Sequence, residues 1–254
     1  MRKSDARPFL TAEWRDLVVV NFDVPARLLE PHVPAGTELD SWHGRTLASV
    51  VGFLFRDTKI LGLTVPGHRT FEEVNLRFYV RRHDPTDGWR RGVVFLRELV
   101  PRRAIAWVAK WAYHEPYRYA RMGHHRFLDG QRRGEIGYHW ALPVEWGRGR
   151  GRRRGQCELG GRVLTESAPL SPGSEAEFIT EHYWGYTRQR DGRTLEYRVD
   201  HPRWRVAPLA DPTLTGDLRP WYGEELSLAL GGGACSGFFS EGSPVVVFTG
   251  SRLC

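Results

Sequence analysis

The chain has 254 residues, 41% of them hydrophobic and 12% aromatic, with ten Trp and a formal net charge of +7. So much aliphatic and aromatic material excludes a low-complexity disordered chain, and the length suits one large β-rich core. The longest nearly uncharged run, Thr46 to Phe55, falls far short of the roughly 20 residues a membrane-spanning helix needs, and the opening Met1 to Asp5 leads into no apolar signal core.

The elements, taken in order, are mostly strands. Trp14 to Phe22 reads as the first, and Pro25 to Leu29 as a short helix with Pro at its first position, ended by Pro31 and Pro34. His43-Gly44 can turn the chain into a second strand, Thr46 to Phe55. Further strands are expected over Phe71 to Arg82, Gly92 to Val100, Glu135 to Val144, Gln156 to Thr165, Tyr183 to Arg190, Thr194 to His201 and Val245 to Gly250, with Asp191-Gly192 as a hairpin turn. His201-Pro202-Arg203-Trp204 reads as a bulged or edge strand, because Pro lacks a ladder donor.

Three helices punctuate these strands. Ile105, Val108, Ala109 and Ala112 form one face of an amphipathic helix over Ala104 to Tyr113. Ser174 and Glu177 fit a capping box, and Tyr222, Leu226, Ala229 and Leu230 form a third helix stopped by Gly231-Gly232-Gly233. Short connections between neighbouring strands predict an antiparallel sheet that closes or nearly closes. Residues 1–8 are expected to be a flexible N-terminus, and 9–254 a single domain with a mobile Arg/Gly loop at 147–155.

Chemistry is most legible in Phe71 to Val80. Strand alternation puts Val74, Leu76, Phe78 and Val80 on one face and Glu73, Asn75, Arg77 and Tyr79 on the other. The second face is either solvated or the wall of a polar lumen. In a lumen, Arg77 would pair with a carboxylate, its fork of donors matching two oxygens, and Glu73 would be the acid or base. Glu181 to Tyr186 leaves the capped helix for a strand, so His182 or Tyr183 either packs structurally or enters the pocket wall.

Several longer tracts carry a resemblance: Phe71-x-Glu73-Val74-Asn75-x-Arg77-x-Tyr79-Val80, Val94-Phe95-Leu96-Arg97-Glu98-Leu99-Val100-Pro101, Glu115-Pro116-Tyr117 and Phe178-Ile179-Thr180-Glu181-His182-Tyr183. With Phe9 to Arg15 and Pro34 to Asp40 they make the chain similar to the YqjF-like family of uncharacterised bacterial proteins, from about residue 9 to the C-terminus. The resemblance implies an acetoacetate-decarboxylase-like fold, an α+β, β-rich curved antiparallel sheet or closed barrel around an interior cavity with a few peripheral helices. It does not carry over that enzyme's chemistry, which needs a lysine amine activated by a neighbouring cation. Where that family has Pro followed by two Lys, this chain has Pro116-Tyr117-Arg118. Only three of its 37 basic residues are lysines, and Lys110 would project away from the apolar stripe of its helix. The expected catalytic set is therefore Glu73, Arg77 and Tyr117, with Arg77 and Tyr117 polarising a carbonyl or carboxylate, and the expected ligand contacts are Asn75, Tyr79, Arg118, His182 and Tyr183.

No metal or cofactor is expected. The histidines follow no metal-ligand spacing, and no P-loop, dinucleotide fingerprint or G-x-S-x-G appears. Cys157, Cys235 and Cys254 are odd in number and widely spaced, which suits reduced thiols in the cytoplasm. The expected partner is a small molecule. A homo-oligomer is compatible with the sequence, whereas nucleic acid and membrane are not favoured. Two alternatives stay open: a noncatalytic ligand-binding or sensor module using the same cavity, and a polyanion binder acting through Arg148, Arg150, Arg152, Arg153 and Arg154.

Overall fold

The computed structural model describes residues 7–64, 67, 69–101, 116–131, 133–143 and 155–253. The helix expected over Ala104 to Tyr113, Lys110, and nearly all of the Arg/Gly segment lie outside the described residues.

Sixteen strands are present among those residues. They are β1 (Pro8–Asp23), β2 (Glu38–Leu39), β3 (Leu47–Ile60), β4 (Leu63–Thr64), β5 (Phe71–Asp84), β6 (Gly88–Val100), β7 (Tyr117–Tyr119) and β8 (Arg121–Leu128). Then come β9 (Gly134–Ala141), β10 (Cys157–Val163), β11 (Ala168–Pro169), β12 (Trp184–Arg188), β13 (Thr194–Asp200), β14 (Arg205–Gly216), β15 (Ser236–Phe248) and β16 (Ser251–Arg252). The pairings β15-β1-β3-β5-β6-β12-β13, completed by β13 with β15, close a ring of seven strands. All of these contacts are antiparallel except β6 with β12. That parallel contact needs close approach. A Cβ at Gly92 would sit 2.5 Å from the Trp184 carbonyl oxygen, so glycine there lets the ring close.

The period of two in β1, β3 and β5 is used on both faces. Val18, Val20, Val50, Val74, Leu76 and Phe78 point outward. They pack on Ile136, Tyr138, Trp140 and Leu159 of a second layer built from β8, β9, β10 and β14. Val19, Val51, Phe53, Phe55 and Phe71 point into the ring. Because both faces are covered, β5 is buried along most of its length, and its polar face is not a solvated one.

Several elements differ from expectation. β14, which pattern alone does not reveal because Pro208 and Pro212 interrupt it, changes partner along its length, pairing β15 at Ala207 and Pro208 and β10 from Leu209 to Gly216. β15 begins at Ser236, well before Val245, and β8 carries His124 and His125 on an extended edge strand. Residues 201–204 form no strand. Pro202 offers no N–H, its carbonyl is taken by His201 Nδ1 at 2.9 Å, and Trp204 turns inward to donate Nε1 to Ser243 at 2.8 Å. The C-terminal helix is two, Arg219–Tyr222 and Glu224–Gly231, broken at Gly223 with φ of 81°. At the other end of the chain, Arg7 N donates to Thr249 Oγ1 at 3.2 Å and Pro8 stands in register with Phe248.

Candidate functional site

The ring encloses a cavity of about 120 Å³ to which all seven strands contribute side chains. Glu73, Asn75 and Arg77 of β5 line one wall, as successive inward positions of one strand must. Tyr117 joins them from β7, which runs parallel to β6 with Tyr117 opposite Glu98. Asn75 in turn faces Glu98 across the β5–β6 pairing.

Glu98 reaches the cavity only because β6 is irregular. The register passes from Leu76 opposite Arg97 to Arg77 opposite Phe95, leaving one extra residue on β6. That bulge inverts the alternation. Val93, Phe95 and Glu98 therefore line the cavity, while Arg97 turns outward and donates Nε to the Trp221 carbonyl at 3.0 Å.

Glu73 is buried and held by two donors, Asn75 Nδ2 to Oε1 and Tyr117 Oη to Oε2, both at 3.1 Å. Burial pushes its pKa up to about 7, against the opposing pull of those two hydrogen bonds and of the Arg77 charge. Arg77 places its guanidinium carbon 5.8 Å from the Tyr79 ring centre, and its buried Nε makes no hydrogen bond among the described residues. Neither does Asn75 Oδ1. A buried donor and a buried acceptor thus stand beside the cavity without partners among the described residues, which is costly unless another group, a ligand or water meets them.

His182 enters from above. The helix Glu175–Thr180 is capped by Ser174, whose Oγ accepts from Glu177 N at 3.1 Å. It is docked through Glu175, bonded to Arg45 at 2.9 Å and to Ser236. Ile179, Thr180 and, just beyond the helix end, His182 are thereby set against the cavity. His182 is fully buried, and burial lowers its pKa to about 4 despite Asp40, leaving a neutral imidazole at pH 7. Asp40 Oδ2 lies 3.6 Å from His182 Nε2, just beyond hydrogen-bonding reach, and accepts from Arg91 Nε at 2.6 Å. For Asp40, burial acts upward, but His182 and Arg91 outweigh it and hold the carboxyl below its usual range.

The other expected residues are not in the wall. Tyr79 shares the β5 face but sits behind it, its hydroxyl 2.5 Å from Ser49 Oγ and its ring 4.7 Å from that of His182. Tyr183 turns away, donating to Glu181 at 2.8 Å and packing on His201. Arg118, next to an inward Tyr117 on a strand, points outward, bonds the Pro220 carbonyl at 2.6 Å and covers Trp221. Besides Glu98, residue-level reading missed Trp14, His201 and Trp204 in the lining. Trp14 followed the alternation of β1, but nothing local said which of its faces was the interior.

Among the described residues the lining holds no lysine, Lys59 is exposed on β3, and no three His, Cys, Asp or Glu side chains gather as a metal site would need. None of the described helices is long and apolar enough to cross a membrane.

The profile of DUF2071, a family of uncharacterized conserved proteins, matches residues 11–248. The chain belongs to this family. It is 32% identical over 110 residues to the uncharacterized protein YqjF of Bacillus subtilis strain 168, a match spanning 43% of this chain and only 43% of that relative. Among solved structures, the enduracididine biosynthesis enzyme MppR complexed with pyruvate is similar with a TM-score of 0.65 at 14% identity, covering 100% of this chain and 93% of that one. Acetoacetate decarboxylase from Legionella pneumophila subsp. pneumophila strain Philadelphia 1 is similar with a TM-score of 0.61 at 12% identity, covering 98% and 88%. At such identities the likeness is one of fold. It places this family member in the acetoacetate-decarboxylase-like architecture, β-rich with few helices.

Proposed function

We propose that the ring cavity binds a small carboxylate- or carbonyl-bearing compound, and that Glu73, Arg77 and Tyr117 act on it without a lysine Schiff base. The observation that supports this most is Glu73 itself, a buried carboxyl with a pKa near 7 that faces a cavity beside the Tyr117 hydroxyl and the Arg77 charge. A base poised near the working pH is present in useful amount in both protonation states. Arg77 and Tyr117 are donors for an oxygen on which negative charge develops as Glu73 takes a proton from the adjacent carbon. Asn75 and neutral His182 orient the ligand. The similarly folded MppR is complexed with pyruvate, which makes pyruvate a suitable first probe.

The test is loss of the C3 protons of pyruvate in D2O, followed by NMR, beside calorimetric binding. The native chain is expected to accelerate exchange, and Glu73→Gln to retain pyruvate affinity within about threefold while exchange falls by about 100-fold or more. Binding without exchange in the native chain would make the cavity a noncatalytic module. Borohydride added with pyruvate should give no mass adduct, and a trapped lysine would overturn the Schiff-base-free reading. Binding only to nucleic acid or heparin, weakening steeply with salt, would move the function to the Arg/Gly segment.

A further inference from the structure

The carboxyl, amide and guanidinium groups of the cavity lie on one side, and the strand order says what stands opposite them. Its charged and amide groups are concentrated on β5 and β6, in Glu73, Asn75, Arg77 and Glu98. The β13–β15 seam lies three strands from β5 in either direction around the ring, by β3 and β1 or by β6 and β12. The register pair at that seam, Val199 with Val247, lines the cavity on both strands. Between seam and polar wall stand Trp14 and Phe53, with ring centres 5.1 Å apart, and Phe55. Among the described residues, the lining offers no Arg or Lys besides Arg77 as counter-charge for a carboxylate.

Resting on the reading given under Proposed function, we infer that the ligand is a compact monocarboxylate with a hydrocarbon tail, its carboxylate toward Arg77 and its tail against the Val199–Val247 seam. A second carboxylate would find no second guanidinium or ammonium among the described lining residues. It would meet the apolar seam, where an unpaired charge is costly, the carboxyl groups of Glu73 and Glu98, or the imidazoles of His182 and His201, both of which burial biases toward the neutral form. Size sets the other limit. The 120 Å³ of the cavity is comparable with the ~150 Å³ of an apolar cavity that accommodates benzene, which favours a small acid, on the order of six to eight non-hydrogen atoms, over a long-chain one. Each methyl group placed in such a pocket changes discrimination by about tenfold or more.

Calorimetric titration with sodium salts of pyruvate, 2-oxoisovalerate and 2-oxoglutarate separates the outcomes. The expected order is 2-oxoisovalerate about tenfold or more tighter than pyruvate, with 2-oxoglutarate weaker than both. Val199→Thr, which keeps side-chain volume, is expected to cut the ratio between the first two affinities about fivefold, and Arg77→Met to abolish binding of all three. Should 2-oxoglutarate bind as tightly as the branched acid, or pyruvate match it, the tail assignment fails while carboxylate binding stands. If none of the three binds at millimolar concentration, the Proposed function falls as well.

Discussion

Tyr117 donates its hydroxyl to Oε2 of Glu73 at 3.1 Å, joining two residues 44 positions apart. With Asn75 on the other oxygen, this bond favours the charged carboxylate, whereas burial favours the neutral acid. Burial prevails, but Tyr117 moderates it. Tyr117→Phe should therefore raise the Glu73 pKa further above 7, by about one unit, read by carbon-13 NMR titration of the carboxyl. An unchanged or lowered value would show that the hydrogen bond does not form in solution.

Stability should respond to pH through two buried groups with opposite signs. Glu73 has a folded pKa of about 7 against an ordinary 4.5. The folded state holds the extra proton between those values, so its contribution is lost as pH rises through that window. His182 has a folded pKa of about 4 against 6.5. Here the unfolded state takes the proton, and stability is lost as pH falls from 6.5 toward 4. In denaturant unfolding, Glu73→Gln should gain on the native chain between pH 4.5 and 7, by up to about 3 kcal/mol. A difference that is flat with pH would remove the shifted carboxyl from the account.

Pyruvate binding should have its own pH profile. An anion placed beside Glu73 raises the carboxyl pKa in the complex, so binding takes up a proton above pH 7. Affinity is expected to be level from pH 6 to 7 and to weaken above that, approaching tenfold per pH unit until the pKa of the complex is passed. In Glu73→Gln the profile should be flat, and persistence of the slope there would point to another titrating group.

Ring closure is sensitive to Gly92, where the close neighbour is backbone. Gly92→Ala pushes a methyl against the Trp184 carbonyl and the Tyr186 ring, and should cost about 3 kcal/mol because the obstacle is backbone. Gly130, which has no atom within 4 Å of an added Cβ, is the control, and Gly130→Ala should stay within about 0.5 kcal/mol. Equal stability of the two variants would mean that β6 and β12 can separate without loss.

Some of this was legible from local pattern. The strand period of β5 separates Val74, Leu76, Phe78 and Val80 from Glu73, Asn75, Arg77 and Tyr79, because alternation is a property of an extended backbone whatever surrounds it. The Ser174 cap and the Asp191-Gly192 turn are likewise short-range. Glu98 was not legible, since the bulge that turns it inward arises from its pairing with β5. Arg118 points away from the cavity for a related reason. Its neighbour Tyr117 takes the inward position on β7, and only the pairing with β6 decides which of the two does.

Local pattern in the chain is enough to establish that it is strand-rich, that one strand has a face of chemically varied polar groups, and that Pro116-Tyr117-Arg118 stands where the decarboxylase motif has paired lysines. Tertiary structure alone decided that this face is interior rather than wet. That outcome rests on β12, β13 and β15 closing the ring opposite β5, and on a second layer covering the other side. Periodicity says which side chains share a face, but the burial that makes Glu73 a near-neutral-pKa acid comes from strands more than 100 residues away in the chain.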